Sequence, residues 1–288
     1  MNTCFFVSDL HGKMSRYEAL FKVIKMEKPD FVFLGGDLLP HVSTNKGKDR
    51  IEEVDFIRDF LFRKFRLLKE KMDCAYPEVF MIPGNDDQKI LFEATAEGEK
   101  ADLWRNLHNH CVVIGKYRFY GYACVPPTPF LIKDWDRYDI SKEIEAGCIA
   151  PSDGYHSLPL DHDMEIDTIH HELEVLTKED NMECGVFLFH SPPYQTALDK
   201  AALYHGIDSK EPQVINAGSK AIRGFINDRQ PYITMHGHIH ESARISGQWK
   251  QSLGRTVSFT AAHDGPELSV IQFELQDPRS ATRRLIKT

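Results

Sequence analysis

Phe31-Val32-Phe33-Leu34-Gly35-Gly36-Asp37 decides the fold: four apolar residues run straight into two glycines and an aspartate. A short all-apolar run rich in aromatic and β-branched residues suits a strand buried on both faces, and the glycines and aspartate end it in a turn. Upstream, Cys4-Phe-Phe-Val7 leads into Ser8-Asp9-Leu10-His11 in the same way. Downstream, Val79-Phe-Met-Ile82 leads into Pro83-Gly84-Asn85-Asp86-Asp87. Helical stretches separate these strands. One covers about Met14–Glu27 and is stopped by Pro29-Asp30. In the other, Ile51, Val54, Ile57, Leu61, Phe65, Leu68 and Met72 share one face. Strand alternating with helix is the pattern of parallel βαβ units, so the class is α/β.

The alternation continues outward. Helical segments are expected near 88–96 and 101–108, then a hairpin of Cys111–Ile114 and Arg118–Tyr122. Between about 125 and 163 the pattern dissolves into prolines, charges and aromatics, read as an ordered insertion in a single domain spanning 1–288. Its Lys133, Trp135, Arg137 and Tyr138 offer cations for phosphate and rings for stacking a base, with an edge cap or subunit contact as the equal alternative. Helix is expected again over 165–177 and 212–228. Strands are expected at Gly185–Phe189, Tyr232–Met235, 256–261 and 268–275, and a basic, solvated tail after Asp277.

The 288 residues are 42% hydrophobic, which excludes a disordered chain, and the net charge of −8 counts against a nucleic-acid partner. No apolar run approaches the roughly 18 residues of a membrane helix. The first residues carry no basic leader, and the six cysteines form no C-x-x-C pair. These features predict reduced thiols and a cytoplasmic protein. A homo-oligomer is compatible with the sequence.

The informative residues are those that follow the strands: Asp9 and His11, Asp37, Asn85 with Asp86 and Asp87, His190, and then His236-Gly237-His238-Ile239-His240. In an open α/β sheet the carboxyl ends of the strands share one edge, where ligands bind. A G-H-x-H match is expected only about 0.04 times from 18 Gly and 14 His in 288 residues, so chance explains it poorly. Carboxylates, an amide oxygen and imidazoles without thiolate select Mn²⁺, Fe or Zn²⁺, with Mn²⁺ favoured here. The donors outnumber the needs of one ion, which suggests two divalent cations about 3.5–4 Å apart acting on a phosphorus–oxygen bond. His108, His110, His156, His162, His170, His171 and His205 are expected to be surface or supporting residues, and His236 a structural neighbour of the site.

Asp9-x-His11, Gly36-Asp37, Gly84-Asn85-x-Asp87, His190 and Gly237-His238-x-His240, in that order, resemble the calcineurin-like metallophosphoesterase superfamily. The resemblance spans residues 9 to 240. It implies a four-layer α/β-β/α sandwich, two mixed sheets flanked by helices, with a dinuclear site at the carboxyl ends of the strands. By the same resemblance Asp9, His11, Asp37 and His240 would hold one cation. Asp37 would bridge to a second, completed by Asn85, His190 and His238, and a bridging hydroxide would attack a small phosphate ester.

One position departs from the family pattern. Its commonest third motif carries a substrate-facing histidine where this chain has Asp86. An ionised Asp86 would repel a dianionic phosphate and cannot donate a proton at neutral pH unless its pKa is raised, so a diester is expected over a monoester. His41, on the loop after Asp37, is the candidate replacement. The alternatives are a nuclease, against which the net charge counts, and a metal-binding interaction scaffold, against which all seven ligand positions are occupied. A protein phosphatase would be expected to keep the missing histidine.

Overall fold

The computed structural model describes residues 2–41, 55–160, 167–203 and 212–288. The first part of the chain forms β1 (Thr3–Val7), α1 (Met14–Glu27), β2 (Phe31–Gly35), α2 (Arg63–Met72) and β3 (Glu78–Ile82). It continues through α3 (Lys89–Phe92), α4 (Thr95–Lys100), β4 (Arg105–Asn106), β5 (Cys111–Ile114) and β6 (Tyr117–Tyr122). After the insertion come α5 (Ile169–Thr177), β7 (Gly185–Phe189), β8 (Lys200–Leu203), β9 (Gln213–Asn216), α6 (Lys220–Arg229) and β10 (Ile233–His236). The chain closes with α7 (Ser242–Ser246), β11 (Lys250–Leu253), β12 (Thr256–Thr260), β13 (Leu268–Glu274) and β14 (Asp277–Ile286).

Two six-stranded mixed sheets result, ordered β14-β13-β1-β2-β3-β4 and β11-β12-β10-β7-β6-β5. The expected class and layered architecture are what the chain adopts. Alternation along the strands sorts side chains to opposite faces. Phe6, Phe33 and Phe80 face the second sheet, whereas Phe5, Val32 and Met81 pack with Leu20, Ile24 and Phe65 of α1 and α2. Phe119 of β6 keys the sheets together, its ring centroid 5.2 Å from Phe31 and from Phe80 and 5.9 Å from Phe33. On the far side, α5 and α6 bury Leu173, Ile222 and Ile226 against the second sheet.

Several local expectations are corrected. Residues 101–108 are not helical. Asp102 turns through left-handed backbone (φ 55°), Leu103, Trp104 and Leu107 are buried, and Arg105–Asn106 becomes edge strand β4. Over 212–228 a strand, β9, pairs with β8, and α6 begins only where Ser219 Oγ accepts from Ile222 N at 3.0 Å. The later start of α5 has the same cause, since Thr168 Oγ1 accepts from His171 N at 3.1 Å. The basic tail is β14, an edge strand against β13. Most of its residues are exposed or half-buried, so its polar composition disguised it. The long helix after β2 begins as a π-turned segment, Phe56–Phe62, which brings the Phe56 and Phe60 rings within 5.7 and 5.8 Å of Tyr17. Ile51, Val54, His162, His205 and residues 161–166 lie outside the described residues.

The insertion is ordered by its own charges. Lys133, fully buried, donates to Asp136 at 2.6 Å and to the Thr128 carbonyl at 2.7 Å, and Arg137 donates to Glu172 at 3.0 Å. These cations are therefore spent inside the protein, and the stacking rings Trp135 and Tyr138 are buried as well.

If Phe119 keys the sheets, Phe119→Ala should cost about 3–5 kcal/mol. Urea unfolding monitored by circular dichroism checks this, and a cost below about 1 kcal/mol would show that other contacts hold the sheets together.

Candidate metal centre

β1, β2 and β3 run parallel, and so do β7 and β10, so the loops after all five leave from one edge. Backbone hydrogen bonds then lace the loops: Asp9 N donates to Gly36 O at 2.9 Å, His11 N to Asp37 O at 2.8 Å, and Gly237 N to His190 O at 2.9 Å. The turns are tight enough to put Asp9, His11, Asp37 and His238 in left-handed backbone, with φ of 57°, 47°, 52° and 72°. Such conformations cost a non-glycine residue roughly 1–2 kcal/mol each and persist where the surroundings enforce them. Gly36 and Gly84 let the loops approach, because a Cβ at Gly36 would meet the His190 ring and one at Gly84 the Asp37 carboxylate.

All seven candidate ligands converge. Asp9, His11, Asp37 and His240 each offer one donor atom, and the four atoms lie within 4.8 Å of one another. His11 Nε2 and His240 Nε2 are 3.0 Å apart, and His240 Nε2 is 3.4 Å from Asp9 Oδ1. His190 Nε2 lies 3.4 Å from Asp37 Oδ2, the oxygen that His11 Nε2 approaches at 3.8 Å, and 3.1 Å from Asn85 Oδ1, with the His238 ring 5.2 Å from that of His190.

Orientation favours ligation. His190 Nδ1 donates to the Gly35 carbonyl at 2.8 Å, which turns Nε2 inward, as neighbours of metal-bound imidazoles commonly do. The Asn85 amide nitrogen donates to Asp86 Oδ1 at 3.0 Å, leaving its oxygen toward His190. Burial pulls His11 down to about 4 and His238 to about 3, so both are neutral donors. Burial pushes Asp9 up, but the hydrogen bond and charge of His240 outweigh it and hold the carboxyl at about 2. His190 is pulled down by burial yet raised to about 10, mainly by the Asp37 carboxylate. Asp9 and Asp37 thus stay ionised beside the neutral imidazoles of His11 and His238, an anionic and imidazole donor set. The donor set fits the divalent ions its chemistry selects.

His41 and Asp86 also reach the site. Both His41 Nδ1 and His11 Nδ1 face Asp86 Oδ2, at 3.3 and 3.5 Å, and the His41 and His11 rings stack with centroids 4.5 Å apart. Burial, then the Asp37 charge, pushes the Asp86 carboxyl up to about 6. His236 supports the site without entering it, its Nδ1 donating to Ser191 O at 2.9 Å and its Nε2 facing Thr234 Oγ1 at 2.8 Å.

Three supports were not evident from the sequence. Fully buried Asp87 accepts from the backbone N–H groups of Leu38 and Gly84 at 2.9 Å and of Leu39 at 2.7 Å, clasping the loops that carry Asp37 and Asn85. Trp135 Nε1 donates to the Asp87 carbonyl at 2.5 Å, tying the insertion to that clasp. Arg16 donates to the Asp9 carbonyl at 2.8 Å and to Gly265 O at 2.5 Å. The acidic residue two after Asn85 was the only available signal. A cavity of about 1020 Å³, lined by Phe92, His108, Trp135, Arg137 and Glu172 among others, includes none of the candidate ligands.

The sequence pattern of the calcineurin-like phosphoesterase family matches residues 3–242. One solved chain aligns at 14% identity over 99% of both chains, with a TM-score of 0.61. The protein TT1561 of Thermus thermophilus aligns at 15% identity over 99% of both chains, with a TM-score of 0.57. At such identities the likeness is one of fold. No curated protein matches the chain in sequence.

Removing the clasp isolates its contribution. Asp87→Asn replaces an acceptor oxygen with a donor facing backbone N–H groups, and should destabilise the metal-stripped protein by about 1.5–3 kcal/mol. Chemical denaturation of both proteins without metal checks this, and equal midpoints would remove Asp87 from that role.

Proposed function

The chain belongs to the calcineurin-like phosphoesterase family and is a phosphoric ester hydrolase, and from that premise we propose that it cleaves small phosphodiesters in preference to monoesters at a two-metal centre. The observation that supports this reading is that Asp37 Oδ2 is approached both by His11 Nε2 at 3.8 Å, within the cluster of Asp9, His11, Asp37 and His240, and by His190 Nε2 at 3.4 Å, itself 3.1 Å from Asn85 Oδ1. In this reading Asp9, His11, Asp37 and His240 hold one cation, and Asp37, Asn85, His190 and His238 the other. Mn²⁺ is favoured, with Fe or Zn²⁺ as alternatives. Bound there, such a pair would supply Lewis-acid charge for a water nucleophile and for the phosphoryl oxygens.

The protein's own groups do the rest. His190, fixed through Nδ1 by the Gly35 carbonyl, and Asn85, fixed through its amide nitrogen by Asp86, keep their donor atoms from rotating away. Asp86 and His41 line the side of the centre where the family carries its substrate-facing histidine, and they are the proposed catalytic residues there. Asp86 presents a carboxyl to the incoming phosphate, which disfavours a dianionic monoester more than a monoanionic diester. The whole chain would act as one phosphoesterase domain with 125–163 inserted, in the cytoplasm. Among the described residues no helix is long and apolar enough to cross a membrane.

Metal-stripped protein given Mn²⁺ should hydrolyse bis-p-nitrophenyl phosphate in preference to p-nitrophenyl phosphate. Asp86→His should raise monoester turnover by about 100-fold, the scale of a general acid. Monoester preference in the wild type, or no gain in the variant, would overturn the diester reading. Metal analysis tests the ligand assignment separately: Asp37→Asn should lose both cations and Asn85→Ala one. Equal metal content in wild type and Asp37→Asn would sink the bridging role.

A further inference from the structure

We infer that His41, Asp86 and the Nδ1 face of His11 form a third divalent-cation site beside the proposed two-metal centre, suited to a borderline ion such as Zn²⁺. The inference rests on His11 meeting the first cation through Nε2, the nitrogen that faces His240 at 3.0 Å and Asp37 at 3.8 Å. Its other nitrogen, Nδ1, is buried and has no hydrogen-bond partner, an arrangement that normally costs stability unless something occupies it.

That nitrogen points at a second small cluster. One donor atom each from His11, His41 and Asp86 lie within 4.8 Å of one another. Asp86 Oδ2 is 3.5 Å from His11 Nδ1 and 3.3 Å from His41 Nδ1. Both separations exceed the roughly 2.7–3.2 Å usual for a hydrogen bond. They match the edge of a tetrahedron whose corners are N and O donors about 2.0–2.2 Å from a shared ion, which is about 3.3–3.6 Å. The other Asp86 oxygen is engaged by the Asn85 amide at 3.0 Å, so Oδ2 is the one left for the cluster. The stacked His41 and His11 rings, 18° from parallel, turn their Nδ1 atoms toward that same oxygen. His41 is largely exposed, which leaves room for water as the fourth ligand.

Occupation of this site has an electrostatic consequence. Asp86 otherwise sets negative charge where a substrate phosphate would approach, and a divalent cation on its carboxylate neutralises it there. This ion binds last and most weakly, because His11 is then shared by two cations across one ring and its remaining ring proton passes to solvent.

Equilibrium dialysis of the full-length, metal-stripped chain against Zn²⁺ tests the site in wild type, His41→Ala, Asp86→Ala and the double variant. Wild type should hold one equivalent more than either single variant, and the double variant should lose no more than the singles, since both residues serve one ion. Zinc on surface histidines elsewhere would be the same in all four and cancels. Equal zinc in all four proteins, or losses that add in the double variant, would overturn the third site. Two equivalents in every protein would sink this inference while leaving the two-metal reading standing. Fewer than two in wild type would remove that reading and this one with it. Exposed His41 can be truncated without disturbing the core, so its variant reports even if Asp86→Ala perturbs the Asn85 loop.

Discussion

Asp37 is the constraint on which the rest of the site depends. Its carboxylate is almost wholly buried and is met by His190 Nε2 at 3.4 Å, His11 Nε2 at 3.8 Å and the Asp86 backbone N–H at 2.9 Å. A lone buried carboxylate is expensive, and it stays ionised only where opposing charge and donors surround it. Here His190 holds it well below the usual carboxylate range, against burial. The side chains around Asp37 come from both sheets, so the stability of its charge and the packing of the two sheets are coupled. Gly36 and Gly84 exist in this arrangement because no larger residue leaves space for the approach.

The same coupling extends to the insertion. Asp87 clasps the loops bearing Asp37 and Asn85, and the indole of Trp135 holds the Asp87 carbonyl. Trp135 is in turn packed by a segment whose buried Lys133–Asp136 pair and Arg137–Glu172 pair fix its course. Within this stretch Lys133, Trp135, Arg137 and Tyr138 are committed to internal contacts. Lys133 is satisfied by Asp136 and Arg137 by Glu172, and Trp135 is bonded to the turn that presents Asn85 and Asp86.

The strained backbone of the centre fits this view. Asp9, His11, Asp37 and His238 all occupy left-handed conformations that side chains ordinarily avoid. Bonds from neighbouring loops hold the first turn: Asp9 by the Gly36 carbonyl and by the His238 N–H on its carboxylate at 3.0 Å, His11 by the Asp37 carbonyl. The sharp turns bring donors on five loops within reach of one another, and the interlocking bonds offset their cost.

Phe31-Val-Phe-Leu-Gly-Gly-Asp37 and its counterparts could be read directly, because a buried strand and the turn that ends it are local patterns of apolar period and turn chemistry. The order of Asp, Asn and His after those strands likewise pointed to one shared edge, where Asp9, His11, Asp37 and His240 cluster, with Asn85 and His238 beside His190. Local pattern failed where side chains answered to distant partners. The polar strand β14 is defined by pairing with β13, β9 by pairing with β8, and the turn at Asp102 by burial of Trp104. The insertion's cations looked available until Asp136 and Glu172 were seen to take them. The clasp of Asp87 on Leu38 joins residues 49 apart in sequence, and the shared oxygen of Asp86 reaches back to His41 in the same way. Residue types and their spacing along the chain determine which chemistry is available. Which donors meet, and which charges are already spent, depends on non-local packing that only the assembled sheets bring about.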